Sequence, residues 1–257
     1  MNNFEGYKKA LEIDYFAYFA KAYFAFNYYL KHKINDANDD RLRIDKIKEK
    51  SNLSVKFKDL TQRDIFYNNF IDLRNALASN EIQNEGKVIS VNKVKMHPYR
   101  EEILCDDTYY RIKYFIKMQN NGTIIIQCSN AEQIVCQFEE IEQQLQNNRN
   151  INAFQSKRIL SIIQERRNQY IININNVIDN IEKYKIKIEE TKSDNEREKS
   201  RSELTDEYEK LYKAFIEIIY TLRNALFHSE IDINNTETKI AYEKAYWLLR
   251  EFLTELS

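Results

Sequence analysis

The chain has 257 residues, with 39 Lys and Arg against 40 Asp and Glu and a formal net charge of -1. That balance excludes a molecule drawn onto nucleic acid by its overall field, so any polyanion must be met by a local basic site. Three glycines and one proline in a chain that is 43% hydrophobic leave long helices as the natural outcome and provide enough apolar surface for a core.

Residues 4–33 carry Tyr7, Leu11, Tyr15, Tyr18, Ala22, Ala25 and Tyr29 at helical spacing, with aromatics around nearly the whole turn, which predicts a helix buried on more than one side. A polar loop at 35–40 precedes a basic stretch with Lys46, Lys48 and Lys50, expected to be a solvated face. A second helix is predicted over 60–80, with Phe66, Phe70, Leu73 and Leu77 as its apolar stripe. After Gly86 the texture changes: 88–94 alternates, 109–118 is aromatic and β-branched, and 123–126 follows Asn121-Gly122, a preferred hairpin dipeptide. A small antiparallel sheet is expected there.

Helical spacing returns at 131–145 through Ile134, Phe138, Ile141 and Leu145, and again over 153–190 with a break near 173–176. A charged link over 191–203 reads as flexible, followed by closing helices at 204–228 and 237–256. The resulting outline is mainly α, a helical bundle interrupted by a small antiparallel β insertion, in three segments: 1–82, 83–130 and 131–257. Cys105, Cys128 and Cys136 show no paired spacing and are odd in number, which speaks against a zinc site or a disulfide framework. No run approaches the roughly 20 apolar residues needed to span a bilayer. The start carries Glu5, Lys8, Lys9, Glu12 and Asp14, unlike a signal peptide, so a cytoplasmic protein without membrane association is expected.

Leu73-Arg74-Asn75-Ala76-Leu77 is repeated letter for letter by Leu222-Arg223-Asn224-Ala225-Leu226, with Phe66 and Phe70 matched by Phe215 and Ile219, and Glu81 by Glu230. The match fades quickly outside this window, leaving duplication and coincidence level. Only the later copy ends in a histidine, His228, where the first has Ser79. Tyr220, Asn224 and His228 fall one turn apart on one helix face, opposite the apolar residues, with Arg223 at the edge. Arg223 and His228 lie roughly 140° apart around an ideal helix, too far to grip one phosphate from opposite flanks. Two copies facing across a dyad would line one cleft with both pairs.

The chemistry of that pair suits RNA cleavage by its own 2′-hydroxyl, which profits from a base, an acid and a cation at the phosphorane. Imidazole exchanges a proton near neutrality, its unperturbed pKa being about 6.5; guanidinium stays charged and binds two phosphate oxygens in a fixed fork. Asn224 could hold either the imidazole or a phosphate oxygen. Nothing in this chemistry requires a metal or cofactor.

The string Leu222-Arg223-Asn224-Ala225-Leu226-Phe227-His228 resembles the motif of the HEPN superfamily, an arginine, usually a polar neighbour, and a histidine after four to six residues. The resemblance implies a helical bundle that dimerises so that two motifs form a cleft. It also implies metal-independent endoribonuclease activity, as in toxin-antitoxin, phage-exclusion and CRISPR-associated systems. By the same resemblance Arg223, Asn224 and His228 are the catalytic positions, with Tyr220, Arg74 and Asn75 as substrate-binding candidates. RNA, a second copy and an antitoxin or defence-system protein are the implied partners. In the subgroup paired with nucleotidyltransferase antitoxins a tyrosine stands two residues after the histidine; here that place is Glu230, so control by that route is not expected.

Two other readings of the same residues stay open: a non-catalytic module whose stripe grips a nucleotide or a partner protein, and a helical scaffold whose Arg223 and His228 merely face the carbonyl end of the helix dipole. His32 is expected to be a helix-terminal charge and His97 a loop residue beside Pro98. In the β insertion, Lys93, Lys95, Arg100, Arg111 and Lys113 with Tyr99, Tyr109 and Tyr110 could hold a single strand. An exposed sheet face of alternating charge accounts for them equally well and is preferred.

Overall fold

The structure is a computed structural model that describes residues 14–34, 37, 39–79, 82–84, 87–129, 131–229 and 231–256. It is mainly helical with a small antiparallel sheet, and nine α-helices lie among the described residues. The chain divides into two compact units, Met1–Val94 with Ile174–Ser257, and Lys95–Asn173. These units cut the chain at different places from the three expected segments, and residues 131–173 go with the sheet.

The first unit holds α1 (Tyr15–Lys33), α2 (Asp40–Lys48), α3 (Ser51–Thr61), α4 (Asp64–Ala78), α7 (Ile174–Glu190), α8 (Asp194–Phe227) and α9 (Thr236–Leu256). Helix α1 begins where the Asp14 carboxylate accepts from the backbone N–H of Ala17 (3.1 Å), and α2 where Asp39 accepts from Leu42 (2.7 Å). Each side chain satisfies a donor that the helix itself leaves unpaired. Lys31, His32 and Lys33 close α1, placing positive charge at the carbonyl end. The helix expected to begin at residue 4 is described only from Tyr15, and its earlier part, like Glu81 and Glu230 of the echo, lies outside the described residues.

Aromatic rings fill the core of this unit. Phe57 meets Phe66, Tyr212, Phe215 and Phe252 at centroid distances of 5.6, 5.8, 5.1 and 6.4 Å. Phe66 and Phe215, equivalent positions of the sequence echo, touch each other edge to face at 6.5 Å. Every residue from Leu211 to Ile219 is buried, so the middle of α8 is covered on all sides and its one acid there, Glu217, must find partners inside.

Three expectations change. The helix read over 60–80 is α4 with its stripe of Phe66, Phe70, Leu73 and Leu77, but it starts only at Asp64, because residues 60 and 61 end α3 and the chain turns at Gln62 and Arg63. The basic stretch with Lys46 and Lys48 is the end of α2, and Lys48 is buried instead of solvated. The link read as flexible over 191–203 is largely helical: α8 starts at Asp194, with Asp194 and Glu196 in its first turn where the dipole favours them.

The second unit is a four-stranded antiparallel meander of β1 (Glu102–Tyr109), β2 (Ile112–Met118), β3 (Thr123–Cys128) and β4 (Ile134–Gln137), followed by α5 (Ile141–Asn147) and α6 (Ala153–Tyr170). Tyr114, Ile116, Met118, Ile124, Ile126 and Ile134 alternate onto one face and pack with Ile159 and Ile163 of α6. Ile134, expected on a helix, is therefore on a strand. Residues 88–94 form only fragments of strand at their two ends, not a continuous one. The break expected near 173–176 falls slightly earlier, between α6 and α7.

At the β2–β3 turn Gly122 has φ +81, and a Cβ added there would stand 2.6 Å from the ring of the buried Tyr99. Both the left-handed backbone and the close approach demand glycine. Gly122→Ala is expected to cost about 3 kcal/mol, combining strain and overpacking, and to appear as an earlier urea unfolding transition of the sheet unit.

Candidate functional site

The sequence motif sits at the carboxyl end of α8. The Leu222 carbonyl accepts from the Tyr242 hydroxyl of α9 (2.7 Å), and Tyr242 in turn packs its ring on Phe16 and Phe19 of α1. The last turns of α8 are thus pinned by two neighbouring helices. The helix ends because Ser229 takes φ +58, after the backbone N–H of His228 has bonded the Asn224 carbonyl (2.9 Å). A left-handed residue just past a helix end is a common stop, although glycine fills it at less cost.

Arg223 and Asn224 are brought together: a terminal guanidinium nitrogen of Arg223 donates to the Asn224 side-chain oxygen at 2.8 Å. The other terminal nitrogen faces the Asp40 carboxylate at 3.6 Å, an ion pair too long for a direct hydrogen bond. The guanidinium lies 5.5 Å from the ring centre of Tyr23 and 4.9 Å from that of Phe227, within cation–π range. Its Nε and the Tyr23 hydroxyl are buried without a hydrogen-bond partner among the described residues. Burial pushes the Tyr23 phenol far above its ordinary value, against the opposing pull of Arg223, so it stays a neutral donor.

The expected polar stripe has three different fates. Tyr220 is half-buried with its ring under the Arg41 guanidinium at 5.4 Å, so α2 covers it. Asn224 is half-buried and committed to Arg223. His228 is exposed, and its side chain makes no hydrogen bond to a described residue. Its chain neighbour Phe227 (42% exposed) stacks on Phe24 (58%) of α1 at 5.8 Å, and Tyr28 (67%) follows one turn further along α1.

The first copy of the motif repeats part of this arrangement. Arg74 donates to the Asn75 side chain at 2.9 Å, as Arg223 does to Asn224, and its Nε is likewise buried without a partner among the described residues. Its other terminal nitrogen bonds Asn175 at 3.2 Å. Arg74 and Arg223 therefore keep different company, one at the start of α7 and the other at the start of α2. The His32 Nδ1 donates to the Tyr28 carbonyl oxygen (2.8 Å), in the helix-terminal place expected for it.

Sequence reasoning missed Asp40 and Tyr23, the partners of Arg223, and also a buried ionic group next to them. Glu217 bonds Arg41 at 2.7 Å and pairs with Lys48, while Arg41 also bonds Asp45. Desolvation alone would raise the Glu217 carboxyl; Lys48 and Arg41 outweigh it and hold it down at about 2, from an ordinary 4.5. A carboxylate in the apolar run from Phe215 to Ile219 was the available signal.

Comparison with protein-family models, with curated proteins and with solved structures finds no match. What the site does must be argued from its own groups. Among the described residues no cluster of three His, Cys, Asp or Glu side chains could hold a metal ion, and no helix is long and apolar enough to cross a membrane.

Proposed function

We propose that the chain is a metal-independent endoribonuclease of HEPN type, working as a homodimer and serving as a toxin or antiviral defence effector. The observation that carries this reading is a guanidinium held by Asn224 and Asp40, with an uncommitted Nε, at the same helix end as an exposed imidazole. A phosphate oxygen arriving at the exposed part of the Arg223 guanidinium would displace a carboxylate that holds on only weakly.

The reaction needs two proton transfers. The 2′-oxygen attacks phosphorus as its proton passes to a neutral imidazole, and the bond to the 5′-oxygen breaks as that oxygen takes a proton from an imidazolium. One chain brings one such imidazole. The exposed Phe24 and Phe227, the latter next to His228 in the chain, supply an apolar surface on which a second copy would bring the other. Arg223 balances the charge of the phosphorane between them.

Incubation of the pure protein with RNA in EDTA is expected to yield fragments ending in 2′,3′-cyclic phosphate, and Phe24→Glu is expected to abolish both the dimer and the cutting. Intact RNA under all conditions, with a dimer in solution, removes the reading. A non-catalytic module that grips a nucleotide or partner protein is favoured by one observation, the absence of any described side chain orienting the His228 ring. Tight nucleotide or protein binding without cleavage would select it.

A further inference from the structure

The second unit carries a surface cluster that the cleavage reading does not use. At the tip of the β1–β2 hairpin, Tyr109 pairs with Ile112 across a two-residue turn, and both turn residues, Tyr110 (φ +48) and Arg111 (φ +62), are left-handed. Such a turn favours Asn and Gly, because an L side chain there is strained. The same chain places Asn121-Gly122 at its next hairpin, with the positive φ on glycine. Keeping a tyrosine and an arginine at the strained tip needs a reason beyond folding, and the strain marks those side chains as what the turn presents.

Helix α6 completes the cluster. Phe154 in its first turn stacks on Tyr109 at 5.8 Å with the rings 6° apart, and meets Tyr110 edge-on at 5.6 Å. Arg158, one turn on, has its guanidinium 4.8 Å from the centre of the Tyr109 ring. Tyr110 is 74% and Phe154 46% exposed. The charges around these rings are unequal. Of the acids, Asp106 pairs with Lys113 at 3.3 Å and Asp107 accepts from the Thr108 backbone. Arg111, Lys157 and Arg158 make no ion pair with a described residue, and the Arg158 Nε is buried without a hydrogen-bond partner among them. Tyr99, which the sequence grouped with these residues, is instead part of the core.

We infer that this cluster binds single-stranded nucleic acid, with bases stacked on Tyr110 and Phe154 and phosphates met by Arg111, Lys157 and Arg158. Open ring faces among uncommitted cations suit unpaired bases on a charged backbone, because stacking is indifferent to sequence and the cations follow the phosphates. A duplex keeps its bases stacked on each other and cannot use the rings. A hydrophobic protein partner would use the rings but would leave three cations unpaired.

The inference is independent of the role of His228, and its test can be read separately. Full-length His228→Ala protein is titrated against labelled 12-nucleotide single-stranded RNA, the same DNA strand and the RNA duplex, by fluorescence anisotropy. Single strands are expected to bind at least tenfold more tightly than duplex, and the RNA and DNA arms report whether the 2′-hydroxyl is read. Phe154→Ala and the double variant Tyr110→Asn/Arg111→Gly are each expected to weaken single-strand binding about tenfold, in line with the loss of one stacked base. The double variant should also melt at a higher temperature, since it relieves the turn, so its lost affinity cannot be a folding failure.

Equal affinity for strand and duplex, unchanged affinity in both variants, or no binding by the parent protein overturns the inference. Wild-type protein that cuts RNA while these variants bind normally sinks this site and spares the nuclease reading. Variants that lose binding in a protein that never cuts RNA do the reverse.

Discussion

Replacing His228 by Ala is expected to lower RNA cleavage at least 10²-fold, the usual worth of a positioned acid–base group. Replacing Arg223 by Ala should cost about 10²- to 10³-fold, as for other groups aimed at transition-state charge. The conservative change is the sharper test. Arg223 donates to Asn224, faces the Asp40 carboxylate as an ion pair and lies over two rings, a use of the planar guanidinium that an ammonium cannot copy. Arg223→Lys should therefore recover little of the rate. Asn224→Ala removes only the 2.8 Å bond that orients the guanidinium and is expected to cost less, about tenfold in kcat. Quenched-flow or gel assays of a labelled RNA under saturating enzyme measure all four. Cleavage by His228→Ala at the parent rate would remove the assignment of the imidazole.

Glu217→Gln should destabilise the first unit by about 3 kcal/mol, because it leaves the buried Lys48 with only the more distant Asp45 carboxylate, 3.8 Å away. The paired change Lys48→Met with Glu217→Leu is expected to lie within about 2 kcal/mol of the parent, since an apolar pair of similar volume spares both desolvation costs. Chemical denaturation of the parent, Lys48→Met, Glu217→Leu and the double variant completes the cycle, and additive losses would mean that the two groups do not interact. The acid limb gives an independent reading. The Glu217 carboxyl is held at about 2 against an ordinary 4.5, so its contribution is fully present above about pH 4.5 and is lost as the pH falls toward 2. That window is worth about 3 kcal/mol, and stability should fall less steeply across it in Glu217→Gln. Because α2 carries both Lys48 and Asp40, loosening the ionic group also frees a partner of Arg223.

Where local chemistry decided the structure, the sequence was legible. The spacing of α9, the scarcity of chain breakers and the Asn121-Gly122 turn each announced the element that forms. The misreadings have distinct causes. Ile134, Phe138, Ile141 and Leu145 keep helical spacing although Ile134 lies on β4, because four apolar positions cannot separate a strand running into a helix from a helix alone. The charged start of α8 looked like a linker, yet Glu, Lys and Arg are good helix formers and the acids there meet the helix dipole. At the site, the polar stripe of α8 was readable, but what lies over it was not. Tyr220 is covered by Arg41, 179 residues earlier (220 − 41), and nothing local to either residue announces the other. The pairing of Arg223 with Asn224 also escaped, since adjacent helical residues do not face each other and only a long side chain folding back joins them.

The two halves of the helical unit are separated in the chain by the whole sheet unit. During synthesis Lys95–Asn173 leaves the ribosome as one continuous stretch and can collapse on contacts already made. Helix α2 meanwhile holds Lys48 without Glu217, and α4 lacks α9, until α8 and α9 have been made. Closing such distant pairs is entropically slow, and the early helices carry exposed aromatic surface while they wait. Under the nuclease reading proposed above, the same delay leaves the end of α8, which carries Arg223 and His228, unpinned until Tyr242 of α9 has been made.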